Sequence, residues 1–332
     1  MTSVRNLAPD PDDVVVATHE LTKTFGQGDK AIHAVRGISL TVQRGEIFGV
    51  IGPNGAGKTT FLHMLVTLSR PTSGSATICG FDVQKMPDRV RASIGVALQE
   101  NGLDPMQTGR ELLTRHARLW GFDRSAARRR AAELLERVDL IAAADRRVAT
   151  YSGGMQRRLD LALAIVGEPR LVLLDEPTTG LDPISRRAVW SEVVRLRERG
   201  VTFLLTTQYL EEADTLADQV AIIDNGVIVT QGEPAHLKKK LGGDVVTMTF
   251  ESDQQAGQAS SYLANGAVVT GHDVRMIVPE GAQAVPRLVD VLSHRGIVVQ
   301  RLTVSTPTLD EVFFASTGHA IQPAEPSTGS TP

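Results

Sequence analysis

The stretch "EIFGVIGPNGAGKTT", residues 46–60, decides the fold of this chain. Its first half is a short apolar run, typical of a strand that is covered on both faces. Its second half fits the pattern G-x-x-x-x-G-K-[ST], in which glycines let the backbone bend until successive N–H groups point into one concavity. The apolar segment "TTFLHMLVTL" then predicts a helix whose positive end faces that concavity. A strand, a glycine loop and a helix in this order predict an α/β P-loop fold.

The loop carries the groups that a nucleotide triphosphate needs. Lys58 adds a positive charge for the β- and γ-phosphates, and the hydroxyl of Thr59 is a ligand for Mg²⁺. A P-loop is shared by kinases, GTPases and ATPases, so it does not fix the reaction. The predicted nucleotide-binding residues of the loop are Gly52, Pro53, Asn54, Gly55, Ala56, Gly57, Lys58, Thr59 and Thr60.

Two adjacent acids in "LVLLDEPTTGLD", residues 171–182, narrow the range of reactions that the P-loop leaves open. Asp175 ends a predicted buried strand, where it is placed to hold magnesium. Glu176 follows directly, and a carboxylate beside the triphosphate is suited to activate water as a general base. The alternative is a turn at the strand end with a surface carboxylate. The pairing with the P-loop favours metal binding and hydrolysis.

A second anion-binding segment is present in "YSGGMQRRLDLALAIV", residues 151–166. Ser152 is placed to cap the helix that follows, and Gly153 and Gly154 expose the backbone at the positive end of that helix. One nucleotide needs only one P-loop. A spare cradle makes sense if it closes over the nucleotide that another copy of the domain binds, although an ordinary helix cap is the alternative.

The composition excludes several classes of protein. Hydrophobic residues make up 42% and charged residues 22%, as in globular proteins, and the longest apolar run, Leu161–Val166, is far shorter than the ~20 residues that cross a bilayer. We therefore expect neither a membrane span nor a signal peptide. The single cysteine, Cys79, fits a reducing compartment and a packing role, and the scattered histidines predict no zinc site. A net charge of −3 argues against nucleic acid as a partner.

The pattern along the chain predicts four segments: a disordered N-terminus (1–13), an α/β domain (14–235), a small α+β domain (236–316) and a disordered tail (317–332). Strands are predicted at 46–52, 171–176, 203–207 and 219–224, and helices at 125–137 and 184–199. In the small domain, strands are predicted at 245–252, 274–281 and 296–305. A helix is predicted at 282–296 with Pro286 in its first turn, and Thr308 and Glu311 have the spacing of a capping box.

Six motifs in this order make residues 14–235 resemble the ATP-binding subunit of an ABC transporter. "GPNGAGKT" resembles its Walker A motif, Gln99 in "GVALQENGL" its Q-loop and "YSGGM" its signature. "LVLLDE" resembles Walker B, "GLD" the D-loop and "TTQ" the switch loop. Phe25 in "KTFG" stands where the family stacks an aromatic ring on adenine.

The resemblance implies a fold, a reaction and further site residues. The fold is a P-loop NTPase with a parallel core sheet, an antiparallel sub-sheet and a helical subdomain, followed here by an α+β accessory domain. The cofactors are ATP and Mg²⁺, with Gln99 joining Thr59 and Asp175 at the metal. Asp182 and Gln208 join Glu176 as catalytic residues, and two copies form an ATP-dependent sandwich.

Two motifs depart from the family pattern and point to a branch of it. The usual LSGGQ signature has Tyr151 and Met155 at its ends here, and Gln208 replaces the switch histidine. These changes, with "TTQYLEEAD", "GEPAHLKKKLG" and "PTLDEVF", resemble the daunorubicin/doxorubicin-resistance exporter ATPases. The resemblance implies a peripheral ATPase at the cytoplasmic face of the membrane, docked on a separate permease and powering export of a hydrophobic drug or lipid.

Other interpretations remain open on the sequence. One is a soluble ABC-type regulatory protein acting on ribosomes or DNA, which the single motif set and the 93 residues between Lys58 and Ser152 disfavour. Another is a nucleotide-dependent binding module with weak hydrolysis, which would follow if Gln208 disabled the site. An importer ATPase is a third. For Gln208 itself we expect a position facing the γ-phosphate, the alternative being a solvated loop residue.

Overall fold

The computed structural model describes residues 13–99, 102–263 and 267–318. These residues form two compact units that divide after Gly232, a few residues before the predicted boundary. Residues 1–12 and 319–332, which make up most of the two predicted tails, lie outside the described residues, and so do Glu100 and Asn101 of the Q-loop segment.

The centre of the first unit is a six-stranded sheet that is parallel except at one edge. Its strands are β4 (Ile47–Ile51), β7 (Ile94–Ala97), β8 (Leu171–Asp175), β9 (Thr202–Thr207), β10 (Gln219–Asp224) and β11 (Val227–Gly232). They lie in the order β11-β10-β4-β9-β8-β7, and only β11 pairs antiparallel. Every residue of β4, β8 and β9 is buried, as the unbroken apolar runs predicted.

A second, antiparallel sheet belongs to the same unit. It consists of β1 (Val14–Phe25), β2 (Ile32–Ile38), β3 (Thr41–Gln43), β5 (Ser73–Ile78) and β6 (Phe81–Asp82). The long strand β1 pairs with β2, β3 and β5. Apolar residues of β1, β2, β3 and β5 form one core cluster with β4 and the helix that follows the P-loop. The parallel and antiparallel sheets expected for an ABC ATPase domain are therefore both present.

The described residues of the first unit also form seven α-helices. They are α1 (Lys58–Leu65), α2 (Pro87–Arg91), α3 (Gly109–Leu119), α4 (Arg124–Arg137), α5 (Gly153–Ala164), α6 (Pro183–Glu198) and α7 (Leu210–Leu216). Helices α3, α4 and α5 share a core rich in leucine and alanine, which is the predicted helical subdomain. Across the described ranges, no helix combines the length and apolar character that a bilayer span requires.

The second unit has a split β-α-β order. It contains α8 (Pro234–Lys240), β12 (Asp244–Thr249), α9 (Asp253–Tyr262), β13 (Val268–Thr270), β14 (Asp273–Val278), α10 (Gly281–Ser293), β15 (Arg301–Ser305) and α11 (Leu309–Thr317). Its antiparallel sheet runs β13-β14-β12-β15, and the succession from β12 to β15 is β-α-β-β-α-β. A core of residues such as Val246, Met248 and Phe250 joins the sheet to α9 and α10.

The structure corrects several predicted elements of this unit. Helix α9 and strand β13 were missed, because the polar sequence of α9 buries only the small residues Ala256 and Ala259. The predicted strand at 296–305 is shorter, starting at Arg301. Helix α10 starts at Gly281, so Pro286 lies in its second turn and not in the first. The capping box at Thr308 and Glu311 is present.

The order of the parallel strands determines where the site lies. Strand β9 lies between β4 and β8, and all three run in the same direction. Their carboxyl ends therefore meet at one edge of the sheet, where ligands of open α/β sheets bind. The P-loop follows β4, the acid pair ends β8 and Gln208 follows β9. Three motifs that are far apart in sequence are thus brought to a single edge.

Candidate ATP site

Close backbone contacts shape the P-loop. A Cβ atom on Gly52 would lie 2.2 Å from the carbonyl oxygen of Ile223, and one on Gly57 would lie 2.2 Å from that of Ala34. Gly57 also has a φ of 99° at the N-cap of α1, a conformation that favours glycine. Larger residues would displace backbone at both positions. The two glycines hold the loop against neighbouring strands, with the positive end of α1 facing it.

Lys58 is buried and joins the loop to the acid pair. Its Nζ donates to the carbonyl oxygens of Gly52 at 2.9 Å and Pro53 at 3.1 Å. The same nitrogen lies 3.3 Å from Oε1 of Glu176. A buried ammonium needs such partners. The lysine and the predicted general base are therefore neighbours within one chain.

Asp175 has the surroundings of a ligand for a hard cation. Its Oδ1 accepts hydrogen bonds from the hydroxyl of Thr59 at 3.3 Å and from the hydroxyl of Thr206. Its Oδ2 is buried and has no hydrogen-bond partner among the described residues. Buried carboxylate oxygens without partners are costly unless a ligand satisfies them. Carboxylate and hydroxyl oxygens are also the ligands that Mg²⁺ prefers.

Glu176 is held in an uncommon backbone conformation. Its φ is 47°, which a residue with a side chain rarely adopts. Its N–H donates to the carbonyl oxygen of Thr206 at 3.0 Å and is 3.1 Å from the hydroxyl of that residue. The carboxylate accepts from the hydroxyl of Thr179 at 3.0 Å and faces Lys58. Strain of this kind persists where surrounding contacts fix the residue, often at a functional site.

Gln208 is buried. Only 6% of the residue is exposed, and its amide oxygen has no hydrogen-bond partner within the described ranges. The alternative of a solvated loop residue is therefore wrong. Its predicted orientation towards the γ-phosphate stays a prediction. A buried carbonyl without a partner costs about 1–3 kcal/mol, which favours a role in which that oxygen accepts a hydrogen bond.

Substitutions at Gln208 test this role. We expect Gln208→His to retain ATPase activity, since histidine also donates a hydrogen bond. Gln208→Ala is expected to lower turnover by about 10- to 100-fold through lost positioning, and Gln208→Glu should lower it further because the carboxylate repels phosphate. Phosphate release by the purified chain measures this, with Gln231→Ala on β11 as control. Wild-type rates for both Ala and Glu would leave Gln208 without a catalytic role.

The signature segment begins α5 as predicted. The hydroxyl of Ser152 caps the helix by accepting from the N–H of Met155 at 3.3 Å. Ser152 and Gly153 are exposed, whereas Gly154 is buried with the hydroxyl of Ser185 only 2.5 Å from where a Cβ would stand. No hydrogen bond joins Ser152 to the P-loop within the described part of this chain. The cradle is open at the surface.

Packing accounts for the two departures from the usual signature. Tyr151 is buried, and its hydroxyl donates to the carbonyl oxygen of Ala143 at 2.7 Å. Met155 is half-buried and packs against the core of the helical subdomain. Both side chains therefore pack in the subdomain interior, and the cap of α5 formed by Ser152 does not involve them as side chains.

Three other predicted residues make no hydrogen bond to the acid pair among the described contacts. Phe25 is 45% exposed at the end of β1, with Nζ of Lys23 4.9 Å from its ring centroid. Gln99 is exposed just after β7. Asp182 caps α6, accepting from the N–H groups of Ile184 and Ser185 and from the Ser185 hydroxyl at 2.6 Å. The hydroxyl bond to Ser185 holds the pKa of Asp182 below its usual range. Their nucleotide, metal and catalytic roles stay predictions.

The sequence analysis missed residues that support the site. Thr206 and Thr179 fix Glu176, as described above. Glu212 on α7 accepts from the hydroxyl of Thr178 and from the indole N–H of Trp190, both at 2.9 Å, and burial raises its pKa. It thereby connects the Walker B turn to α6 and α7. No spacing rule in the sequence distinguishes this acid from its neighbour Glu211.

Arg157 on α5 was missed as well. It is buried and donates to main-chain carbonyl oxygens of the Walker B segment and of the strand end before Gln99. Asp160, one turn later, is its carboxylate partner at 3.2 Å. Burial raises the pKa of Asp160 to about 6, although Arg157 acts to lower it. The only hint of this pair in the sequence is the spacing of an arginine and an aspartate three residues apart on one helix.

The sheets, the P-loop and the acid pair define an ATP-binding cassette, the P-loop ATPase class of ABC transporters. The family model described as "ABC transporter" matches residues 35–179. Among solved structures, a dimeric, post-hydrolysis form of the cassette MJ0796 bound to ADP and phosphate is similar. Its TM-score is 0.61 at 25% identity, over 66% of this chain and 98% of that one.

A second family model and two named relatives identify a branch within the ATP-binding cassettes. A family model for the C-terminal domain of DrrA1-3-like ATP-binding proteins matches residues 232–317. The doxorubicin resistance ATP-binding protein DrrA of Mycobacterium tuberculosis is 42% identical over 92% of this chain and 94% of that protein. The daunorubicin/doxorubicin resistance protein DrrA of Streptomyces peucetius is 44% identical over 92% of each.

The chain therefore belongs to the DrrA-like ATP-binding proteins, the daunorubicin/doxorubicin-resistance branch of ABC exporter ATPases. These matches confirm the resemblance noted in the sequence and the predicted fold class. They also confirm that the chain is an ATPase, the ATP-binding subunit of an exporter. The family assignment argues against a ribosome- or DNA-associated protein, a binding module and an importer.

Proposed function

We propose that this chain, as a pair of copies docked on a separate membrane subunit, hydrolyses Mg-ATP to power export of a hydrophobic drug or lipid. One observation carries the proposal. Lys58 contacts Glu176 and Thr59 contacts Asp175 where we assign the phosphates, and Ser152 and Gly153 are exposed at the start of α5, where we assign a second anion cradle. A single copy has no use for the second cradle.

The metal assigned to the site is magnesium. Thr59 and Asp175 fit it, because the free, buried Oδ2 of Asp175 lies on a carboxylate that Thr59 already contacts. Gln99 is the third proposed ligand. Magnesium usually takes few protein ligands and completes its shell with water and phosphate oxygens. When bound, the ion would neutralise negative charge on the β- and γ-phosphates.

In ATP hydrolysis, each of the residues at the carboxyl edge of the parallel sheet has its own role. Water attacks the γ-phosphorus, the bond from that phosphorus to the β–γ bridging oxygen breaks, and ADP leaves with that oxygen. Glu176 takes the proton of the attacking water. Lys58 stabilises the charge that develops on the phosphate oxygens. Gln208 holds the water in place without titrating, because an amide does not change its protonation state.

The second copy completes each site in this proposal. The N–H groups at Gly153 and Gly154, with the hydroxyl of Ser152, would bind the γ-phosphate held by the other P-loop. Asp182, in the D-loop, is assigned to the same boundary between copies. Phe25 is assigned to the adenine. The dimeric cassette described above supports this arrangement.

The names of the two relatives support the class of transported compound, since both refer to doxorubicin resistance. The location that follows is the cytoplasmic face of the membrane, where the chain docks on the permease. The C-terminal unit contains no catalytic group that we recognise among its described residues. We assign it a regulatory or docking role.

Transport into inside-out vesicles tests the proposal. The chain is co-expressed with a candidate permease subunit, and uptake of doxorubicin is followed by fluorescence. We expect uptake that needs ATP and that is lost with Lys58→Ala. If the wild-type chain hydrolyses ATP in these vesicles without any uptake of doxorubicin, the assignment to doxorubicin-type drugs is wrong.

A further inference from the structure

Arg157 is hydrogen-bonded to two segments that meet around the Walker B turn. Its Nε donates to the carbonyl oxygen of Pro177 at 2.8 Å. Its Nη2 group reaches the carbonyl oxygens of Asp175 and Glu176, each at 2.9 Å. Nη1 donates to the carbonyl oxygen of Leu98 at 2.9 Å, just before Gln99. One side chain from α5 thus holds three successive carbonyls of Walker B and the start of the Q-loop.

This geometry needs an arginine. A guanidinium presents five donors in a rigid planar fork, whereas an ammonium is a point charge on a flexible stem. Arg157 is only 8% exposed, and its carboxylate partner is Asp160, with Nη1 3.2 Å from Oδ2. Removing one member of a buried pair leaves an uncompensated charge. The pair lies on α5 itself, so the arginine is oriented by the helix that begins with the signature.

The hydrogen bonds of Arg157 hold the backbone around Glu176, the residue with the uncommon φ. Glu176 has a φ of 47°, and Arg157 binds the carbonyl oxygens of that residue and of the residues before and after it. The N–H side of the same residue is bound by Thr206. The direction of the Glu176 side chain depends on these backbone dihedrals. Loss of the carbonyl bonds would therefore leave the carboxylate misdirected.

We propose that Arg157 is a positioning residue for ATP hydrolysis, which holds the backbone of Glu176 so that its carboxylate meets the attacking water. The inference rests on the proposed role of Glu176 as general base. Arg157 itself touches neither nucleotide nor water in this assignment. Its effect belongs to the hydrolytic step and not to ATP binding, because the P-loop contacts of Lys58 do not include it.

Arg130 on α4 provides a matched control. It is also buried, at 6% exposure, and its guanidinium donates to the carbonyl oxygens of Ile165 at 2.9 Å and Val166 at 3.1 Å. Those carbonyls lie just beyond the last residue of α5, at the opposite end from the signature. Arg130→Lys should therefore cost stability as Arg157→Lys does, without disturbing Walker B.

The test combines Arg157→Lys with Glu176→Gln in a double-mutant cycle on the full chain. Single-turnover hydrolysis, ATP affinity and thermal unfolding are measured for the wild type, both single variants, the double variant and Arg130→Lys. We expect Arg157→Lys to slow hydrolysis by about 10- to 100-fold at unchanged ATP affinity, as for a misplaced catalytic group. In the Glu176→Gln background, the same change should alter the rate by no more than about twofold.

The outcomes separate the two claims. An equal fold loss from Arg157→Lys in both backgrounds, or the same loss from Arg130→Lys, would overturn the positioning role and leave Glu176 as the base. A loss of ATP affinity with an unchanged hydrolytic rate would overturn it too. If Glu176→Gln alone hydrolyses ATP at the wild-type rate, the proposed general base fails first. The inference about Arg157 then falls with it.

Discussion

Glutamine in place of Glu176 is expected to leave ATP binding intact and to slow hydrolysis by about 100- to 10,000-fold, the usual loss when a general base is removed. The amide occupies the same space and can still accept from Thr179, which is 3.0 Å from the carboxylate. It cannot take a proton from water. It also no longer neutralises Lys58, which lies 3.3 Å away, so that the lysine has more charge to offer the phosphates.

Two measurements check this expectation. Phosphate release gives the rate, and size-exclusion chromatography with ATP gives the assembly. Because the nucleotide persists, the variant should elute as a dimer with ATP and as a monomer without it. Glu133→Gln, on the exposed side of α4, is the control and should keep the wild-type rate. A strict monomer in ATP would contradict the two-copy model, and full activity would exclude Glu176 as the base.

Alanine in place of Lys58 is expected to lower the rate of ATP hydrolysis about as much as Glu176→Gln does, but for a different reason. The ammonium is the one side-chain cation that reaches both the P-loop carbonyls and Glu176 among the described contacts. Removing a donor that stabilises developing charge lowers turnover by about 100- to 1,000-fold. Affinity for Mg-ATP should fall too, since the loop dipoles replace only part of the lost charge. The buried Glu176 is then left without its partner.

Calorimetric titration with Mg-ATP, together with phosphate release, distinguishes this variant from Glu176→Gln. Lys58→Ala should lose affinity and rate, whereas Glu176→Gln loses rate alone. Lys85→Ala, at an exposed lysine outside the P-loop, is the control. If Lys58→Ala binds Mg-ATP as the wild type does and turns it over at the same rate, the P-loop assignment is wrong.

The parts of the site that sequence alone predicts are those in which backbone geometry demands particular residues. Only glycine fits at Gly52 and Gly57 without displacing backbone, so the P-loop leaves a mark in the sequence. Strands β4 and β8, which are buried at every residue, leave apolar runs in the sequence, and β9 has a shorter one at 203–205. The strand and loop predictions anchored on these features agree with the structure.

The parts that sequence does not reveal depend on contacts between distant segments. Arg157 follows the signature in an arginine pair with Arg158, and nothing local shows that one reaches Walker B while the other reaches Val138 at the end of α4. Helix α9 is hidden for a different reason. Its buried residues are alanines, so the apolar pattern that identifies a helix is almost absent. Tertiary packing decides both cases.

Helix α5 has a consequence for how the two proposed sites communicate. Ser152 at its start is assigned to the nucleotide of the other copy, while Arg157, about 7.5 Å further along at 1.5 Å per residue, holds the Glu176 backbone of its own site. A helix is stiff over that distance, so the two ends move together. Nucleotide binding at one end of the helix and alignment of the base at the other are then coupled. The nucleotide bound in one proposed site would therefore influence how the base is held in the other.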